Sequence, residues 1–417
     1  MTTDSQTPPK GAREQAANPW QTWRILLLAN AFSLVGNYVQ NLALPLWVLS
    51  VTGSYSATGI TFAVGTLPVV LCAPLAGRIV DRFNRLAVFI ACEGICALLV
   101  LILIVGVRAE SLVVVYVISA LLKAVGSAAV PAVQAMLKER LSPDETRPVI
   151  ARFEMVFGMT MSLGPLVGAA LSAGIGIEGA LWANCASFVA SGLLAMLLRP
   201  SRTGARGPKA PSTEKQPRTR LEPLRWSALS PLLRRVALAE ASYFLFLGAE
   251  VVIALAVFQE TVGVAAAAVY QTLTGIGWIA GSSLVVRRFN RQPLVIWTGA
   301  AISAAATAAL AFSGQSWSWV AVVLVGLLGG TGNVMIAGAT TVVYQAAASN
   351  EIIGRIFAFR RGLLNLFMTA SYVAIPLMGD LTNHPAPVLL VAGLVNLVIT
   401  TWLLLPHLRA RTGEGSD

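Results

Sequence analysis

Long apolar stretches alternate with short polar ones along almost the whole chain. A helix rises ~1.5 Å per residue, so about 20 consecutive apolar residues cross the hydrocarbon of a bilayer. The pattern predicts twelve such spans. Six run over 24–50, 57–76, 86–106, 111–136, 148–173 and 178–198, and six over 233–260, 265–286, 293–313, 317–346, 354–381 and 386–406. Between the two sets, residues 199–232 are rich in Pro, Arg, Ser and Thr and read as a linker. The predicted organisation is therefore a polar, disordered tail (1–22), a six-helix half (23–198), the linker, a second six-helix half (233–408) and a short tail (409–417).

Composition agrees. Of the 417 residues, 56% are hydrophobic and 12% charged, with a mean hydropathy of +0.72. A water-soluble core could not hide that much apolar surface, so lipid is the solvent for most of the chain. The fold class expected is an all-α membrane protein. A net charge of +11 would suit nucleic acid, but its distribution points elsewhere. With the N-terminus placed in the cytoplasm, every Lys and Arg except Arg108 and Lys123 falls in a cytoplasmic segment or tail. That is the positive-inside pattern; it places both termini in the cytoplasm and leaves no reason to expect a nucleic-acid partner.

Arginine outnumbers lysine 25 to 5, a bias of GC-rich bacterial genomes, so the bacterial inner (plasma) membrane is the expected location. The polar first 19 residues do not read as a cleavable signal. Cys72, Cys92, Cys96 and Cys185 all lie in apolar runs and read as small packing residues. Neither a metal-ligand spacing nor a phosphate-binding Gly-x-x-x-x-Gly-Lys-Ser/Thr loop is present, so neither an enzyme, a cofactor nor direct ATP coupling is expected.

The most informative loop is Gly77-Arg78-Ile79-Val80-Asp81-Arg82-Phe83-Asn84-Arg85, between the second and third spans. Gly77 permits close backbone approach at a helix end. Asp81 can accept from the free N–H groups of a neighbouring helix start. Arg82 and Arg85 suit carboxylates or helix C-termini. Read from charge alone, the loop could equally be a simple positive-inside anchor. Arg82-Phe83-Asn84-Arg85 recurs as Arg288-Phe289-Asn290-Arg291, and Pro165-Leu166-Val167-Gly168 is answered by Pro376-Leu377-Met378-Gly379 at nearly the same offset. Two related six-helix halves follow.

The Gly-x-x-x-Asp-Arg-x-x-Arg spacing after a second span resembles the signature loop of the major facilitator superfamily. The resemblance covers about 22–408 and implies a twelve-helix transporter whose loop latches the halves together on the cytoplasmic side. Asn84 stands where many members have Gly. In the second copy Arg287 replaces Asp81 and Ser283 replaces Gly77, so only the first loop can be a full latch. Ala43-Leu44-Pro45-Leu46-Trp47, followed by Thr52-Gly53-Ser54, resembles the first-span ending of the drug:proton antiporter group that includes macrolide and siderophore exporters. In the fifth span Gly158, Gly164, Pro165 and Gly168 are similar to the antiporter motif of that group, with Ala169 where a further Gly is common. Gly275, Gly277, Ala280 and Gly281 in the eighth span offer a small-residue contact face.

Polar residues inside spans are the remaining candidates, because each is costly against lipid. Asn30, Asn37 and Asn41 share one stripe of the first span and either line a cavity or hydrogen-bond between helices. Lys123 is the cation inside a span; it faces an aqueous cavity or pairs with Glu93. The acids Glu250, Glu240 and Glu93 are the proton-coupling candidates, in that order, and Asp380 lies near a span end. Glu250 ranks first because it sits ~25 Å along the seventh span, past the bilayer middle, in a helix expected to line the cavity.

Together these features imply a proton-coupled secondary active exporter of an amphipathic small molecule, such as an antibiotic, a siderophore or another secreted metabolite. It would work by alternating access and as a monomer, with substrate, protons and the bilayer as its partners. Two other readings stay open: an importer of a small polar nutrient, which the fifth-span motif opposes, and a non-transporting membrane sensor.

Overall fold

The structure, a computed structural model, describes residues 19–140, 143–198, 230–287, 291–311, 318–347 and 353–409. Both tails, nearly all of the 199–232 linker and the repeated Arg288-Phe289-Asn290 lie outside these residues. The described residues are helical apart from short turns. The helices are α1 (Pro19–Thr52), α2 (Tyr55–Arg82), α3 (Arg85–Arg108), α4 (Leu112–Gly126), α5 (Ala129–Arg140) and α6 (Pro143–Met196) in the first half. The second half holds α7 (Pro231–Thr261), α8 (Val264–Arg287), α9 (Gln292–Ala311), α10 (Ser318–Ala347), α11 (Ile353–Thr382) and α12 (Pro385–Arg409).

Helix boundaries differ from the twelve predicted spans in two places. The fourth span is broken into α4 and α5 at Ser127–Ala128. The fifth and sixth are joined in α6, whose 54 residues would measure ~81 Å if straight, far more than a bilayer. The chain reverses at Gly176, where φ is +71° and ψ 177°. A glycine makes that reversal without a loop. Eleven helical segments are long and apolar enough to span, and the reversal divides one of them into two.

Capping fixes the turns. Ser54 opens α2, its Oγ accepting from Ala57 N at 3.1 Å. Ser230 does the same for α7, with Pro231 at the first helical position. Asn84 opens α3, its Oδ1 accepting from Ala87 N at 3.1 Å. This explains the amide in the signature loop: it supplies a helix cap that a glycine would lack. The positive-φ residues Gly53, Glu110, Gly176, Gly263 and Asn383 all fall at the end of the bundle remote from the Asp81 loop. Connections at that end are tight.

Within the first half, α6 packs along α1 and α3, and α4 lies against α2 and α3. In the second, α10 packs on α8 and α9, and α7 on α11 and α12. The halves meet through α2 against α11 and α6 against α8. A small apolar cluster at this seam joins Leu42, Leu46 and Ala169 to Leu255, Ala267 and Ala268.

Candidate functional site

The residues of the seam place its closure at one end. Gly59 of α2 lies so close to α11 that a Cβ there would overlap the carbonyl oxygen of Tyr372. The Tyr372 ring stacks on Phe62 with centroids 5.4 Å apart. Gln259 Nε2 of α7 donates to Leu46 O at 3.2 Å, and Tyr55 Oη donates to Glu260 at 2.6 Å. Asp380, near the C-terminus of α11, accepts from the start of α2 across the seam. All of these contacts lie at the Tyr55 end.

The Asp81 loop is at the other end and unlatched. Asp81, Arg82, Phe83 and Asn84 are exposed, and Asp81 accepts no hydrogen bond from a described residue. A Cβ at Gly77 would meet open space. The close approach expected at Gly77 is thus not made in this structure. Arg82 lies over the Phe83 ring at 5.8 Å.

The fifth-span motif divides. Gly164 and Gly168 press on α1: a Cβ at Gly164 would meet Tyr38 Cβ, and one at Gly168 would come within 3.1 Å of the Val39 backbone. Pro165 is buried between them. Gly158 is exposed with no neighbour, so it takes no part in this packing. We expect Gly164→Leu to force α1 and α6 apart and to lower transport in vesicles sharply, whereas Ala169→Gly removes one methyl and is tolerated. In the eighth span Gly277 and Gly281 pack on α10 in the same way, against Leu327–Thr331 and Thr331–Val334.

The stripe of amides on α1 does three different things. Asn37 Nδ2 donates back to Ser33 O of its own helix at 2.8 Å. Asn30 is half-buried. Asn41 is exposed and accepts from Lys123 Nζ at 2.8 Å. The bond from Lys123 joins α4 to α1, and a second interhelical bond comes from Gln40, whose Oε1 accepts from Asn184 Nδ2 at 2.6 Å in a fully buried contact.

The expected Lys123–Glu93 pair is not formed. Glu93 is buried on α3, where one carboxylate oxygen accepts from Ser33 Oγ at 3.1 Å. Lys123 reaches Asn41, eight residues further along α1, or ~12 Å in depth. The two charges address different levels of the same helix, so the Lys stem cannot join them.

Glu240 is the acid that is paired. It is 0% exposed and held by Arg360 of α11: Nε donates to its two oxygens at 3.1 and 2.9 Å, and Nη2 also donates to Oε1. Thr340 Oγ1 of α10 donates to the same carboxylate. The guanidinium lies over Tyr344 at 5.2 Å. These contacts tie α7, α10 and α11 together and leave no open oxygen for proton exchange. We expect Arg360→Ala, which strands a buried carboxylate, to cost about 3–5 kcal/mol. The check is a clear drop in the melting temperature of the purified protein, with Arg360→Lys intermediate because Lys cannot make the fork.

Glu250 has no such partner. It is 2% exposed, and its Oε2 finds no hydrogen-bond donor among the described residues. It lies eleven residues from the end of α7 at Thr261, ~17 Å by helical rise and near mid-membrane. The backbone of α10 comes close beside it at Gly329, where a Cβ would stand 2.5 Å from Oε1. Glu93 Oε2 is likewise without a donor among the described residues. Counted from the same end, Asn41 and Lys123 sit at the same depth as Glu250, on the opposite half.

Two groups of membrane-length helices, meeting through α2 against α11 and α6 against α8, with the Tyr55 end joined across the seam and the charged Asp81 loop exposed at the other, make up the described molecule. The sequence profile of the Major Facilitator Superfamily matches residues 26–366, and the chain belongs to that family. It is 28% identical over 226 residues to the multidrug efflux pump Tap of Mycolicibacterium fortuitum, covering 52% of this chain and 54% of that one. It is 29% identical over 170 residues to the uncharacterised MFS-type transporter YkuC of Bacillus subtilis, covering 40% of each. The chain thus matches about half the length or less of these curated relatives. Its fold is similar to that of a bacterial homologue of the iron transporter ferroportin in an inward-facing state, with a TM-score of 0.70, 15% identity and coverage of 93% and 100%. A point mutant of the nucleoside transporter NupG overlays at 0.68 with 12% identity over 94% and 99%. The chain is a transporter, not an enzyme.

Proposed function

We propose that this transporter is a proton-coupled exporter of an amphipathic small molecule, working as a monomer in the bacterial inner membrane with both termini in the cytoplasm. The observation that carries the reading is Glu250: a carboxyl at mid-membrane depth, buried, with one oxygen lacking any described donor. An unpaired carboxylate in such a site is stable only when something neutralises it, and a proton is the least bulky candidate. The tight seating of Gly164 and Gly168 on α1 supports an exporter's fifth span. The partial likeness to the efflux pump Tap supports the direction.

In this reading the Asp81 loop is cytoplasmic, so the halves are open to the cytoplasm and closed outside. Substrate enters from the cytoplasm or inner leaflet and meets Lys123 and Asn41 on one wall, at the depth of Glu250 on the other. Its arrival displaces the Glu250 proton inward. The halves then rock, the Asp81 loop engages its neighbour, and the outer end opens to release substrate. A proton from outside reloads Glu250 and permits the return.

The test uses everted membrane vesicles from cells making the protein, with ethidium as an amphipathic probe and an imposed inside-acid pH gradient. Gradient-dependent ethidium uptake above that of vesicles lacking the protein is expected. Uptake that ignores the gradient would sink proton coupling.

A further inference from the structure

Asp380 is a carboxylate near the C-terminus of α11 whose whole hydrogen-bonding capacity is directed at the other half of the molecule. Its Oδ1 accepts from Tyr55 N at 2.8 Å. Its Oδ2 accepts from Ser56 N at 2.9 Å, Ser54 Oγ at 2.8 Å and Ser56 Oγ at 2.6 Å. Tyr55 and Ser56 are the first residues of α2, so two of these donors are N–H groups that the helix itself cannot satisfy. The positive end of the α2 dipole adds to the attraction. Next to this cluster, Tyr55 Oη donates to Glu260 of α7. Every one of these bonds crosses from the first half to the second, and every one must break for the Tyr55 end to open.

α2 and α11 pack against one another and run antiparallel. Each carries an Asp at or near its C-terminus, Asp81 on α2 and Asp380 on α11; α2 begins beside Asp380, and α11 begins at the end of the bundle where α2 carries Asp81. At the Tyr55 end the Asp380 carboxylate is docked on the start of α2; at the other end Asp81 is exposed and accepts nothing from a described residue. We propose that Asp380 is a second, reciprocal latch, which holds the Tyr55 end shut in the state seen here. The two latches are alternatives: rocking the halves frees Asp380 from α2 as it brings Asp81 toward the start of α11. Their relative strength sets the resting balance between the two states. This does not depend on proton coupling or on the identity of the cargo.

The test measures distances in the full-length purified protein with pairs of spin labels. One pair, Val113 and His384, spans the closed end; the other, Leu197 and Leu238, spans the open end; Cys72, the partly exposed native thiol, is changed to Ser. Wild type should give short distances for the first pair and long ones for the second. Asp380→Asn keeps the shape but loses the charge that strengthens four bonds, and should shift the ratio of states toward opening at the Tyr55 end about tenfold or more. Gly59→Ala, which forces a methyl onto Tyr372 without touching any charge, should shift it the same way and shows that the labels sense opening. Asp81→Asn should shift the balance the opposite way, and combining it with Asp380→Asn should bring the double variant back toward the wild-type ratio. Unchanged distances in Asp380→Asn, alongside a shift in Gly59→Ala, would overturn the latch. Should Asp380→Asn prove too unstable to purify, Ser54→Ala/Ser56→Ala removes two donors and keeps the carboxylate. A smaller shift in the same direction is then expected, and no shift would equally overturn it.

Discussion

Replacing Glu250 by Gln abolishes transport driven by a pH gradient while leaving substrate binding near that of the wild type. The two side chains are nearly the same size, and Gln keeps a carbonyl oxygen and adds donors. What it loses is the ability to gain and release a proton. The buried site is therefore filled as before, with the α10 backbone still close at Gly329. Because no described residue donates to Oε2, no ion pair is broken by the change. Folding is thus spared, in contrast to loss of Arg360 from Glu240. The measurement is ethidium uptake by everted vesicles under an imposed gradient, beside ethidium binding to the purified protein. Full gradient-driven transport by the variant would remove Glu250 from the mechanism and pass the same two assays to Glu93, the other buried acid with an oxygen that no described residue satisfies.

Asp81→Asn is expected to lower export greatly with little change in membrane abundance or thermal stability. In the state seen here Asp81 is exposed and unpartnered among the described residues, so removing its charge costs this state nothing. The cost falls on the alternative state, in which the loop meets the neighbouring helix start. A loss of transport at unchanged stability is the signature of a residue that acts in only one of two states. Unchanged export at matched abundance would contradict a latch role, and the loop would then be a positive-inside anchor.

The spans are legible in the sequence because little besides a membrane crossing requires an apolar run of bilayer length. Glu250 is legible for the same reason, since an acid in such a run stands out by its cost. What the linear pattern gives is depth along a helix; it does not give the neighbour a side chain faces. Lys123 and Glu93 look like partners on charge, yet Ser33 and Asn41 of α1 claim them at different levels. Arg360 stands beside Arg361 at a span end and reads as one more cytoplasmic charge, although it is the counter-ion of a fully buried Glu240. Asp380 is legible only as an acid near a span end, and the packing of α2 on α11 reveals what it holds. The helix reversal at Gly176 falls in the gap predicted between the fifth and sixth spans, which end at 173 and begin at 178, and only its tightness, one glycine in place of a loop, had to come from the structure.

The central claim, that cargo and protons exchange through Glu250, is tested most directly by watching protons. Purified protein is reconstituted in liposomes loaded with a pH-sensitive dye, and an ethidium gradient is imposed with no initial pH difference. Ethidium moving one way should drive protons the other way in the wild type, and Glu250→Gln liposomes should show no proton movement. Ethidium flux through the wild type without any pH change, or equal proton movement in the Gln variant, would contradict the claim.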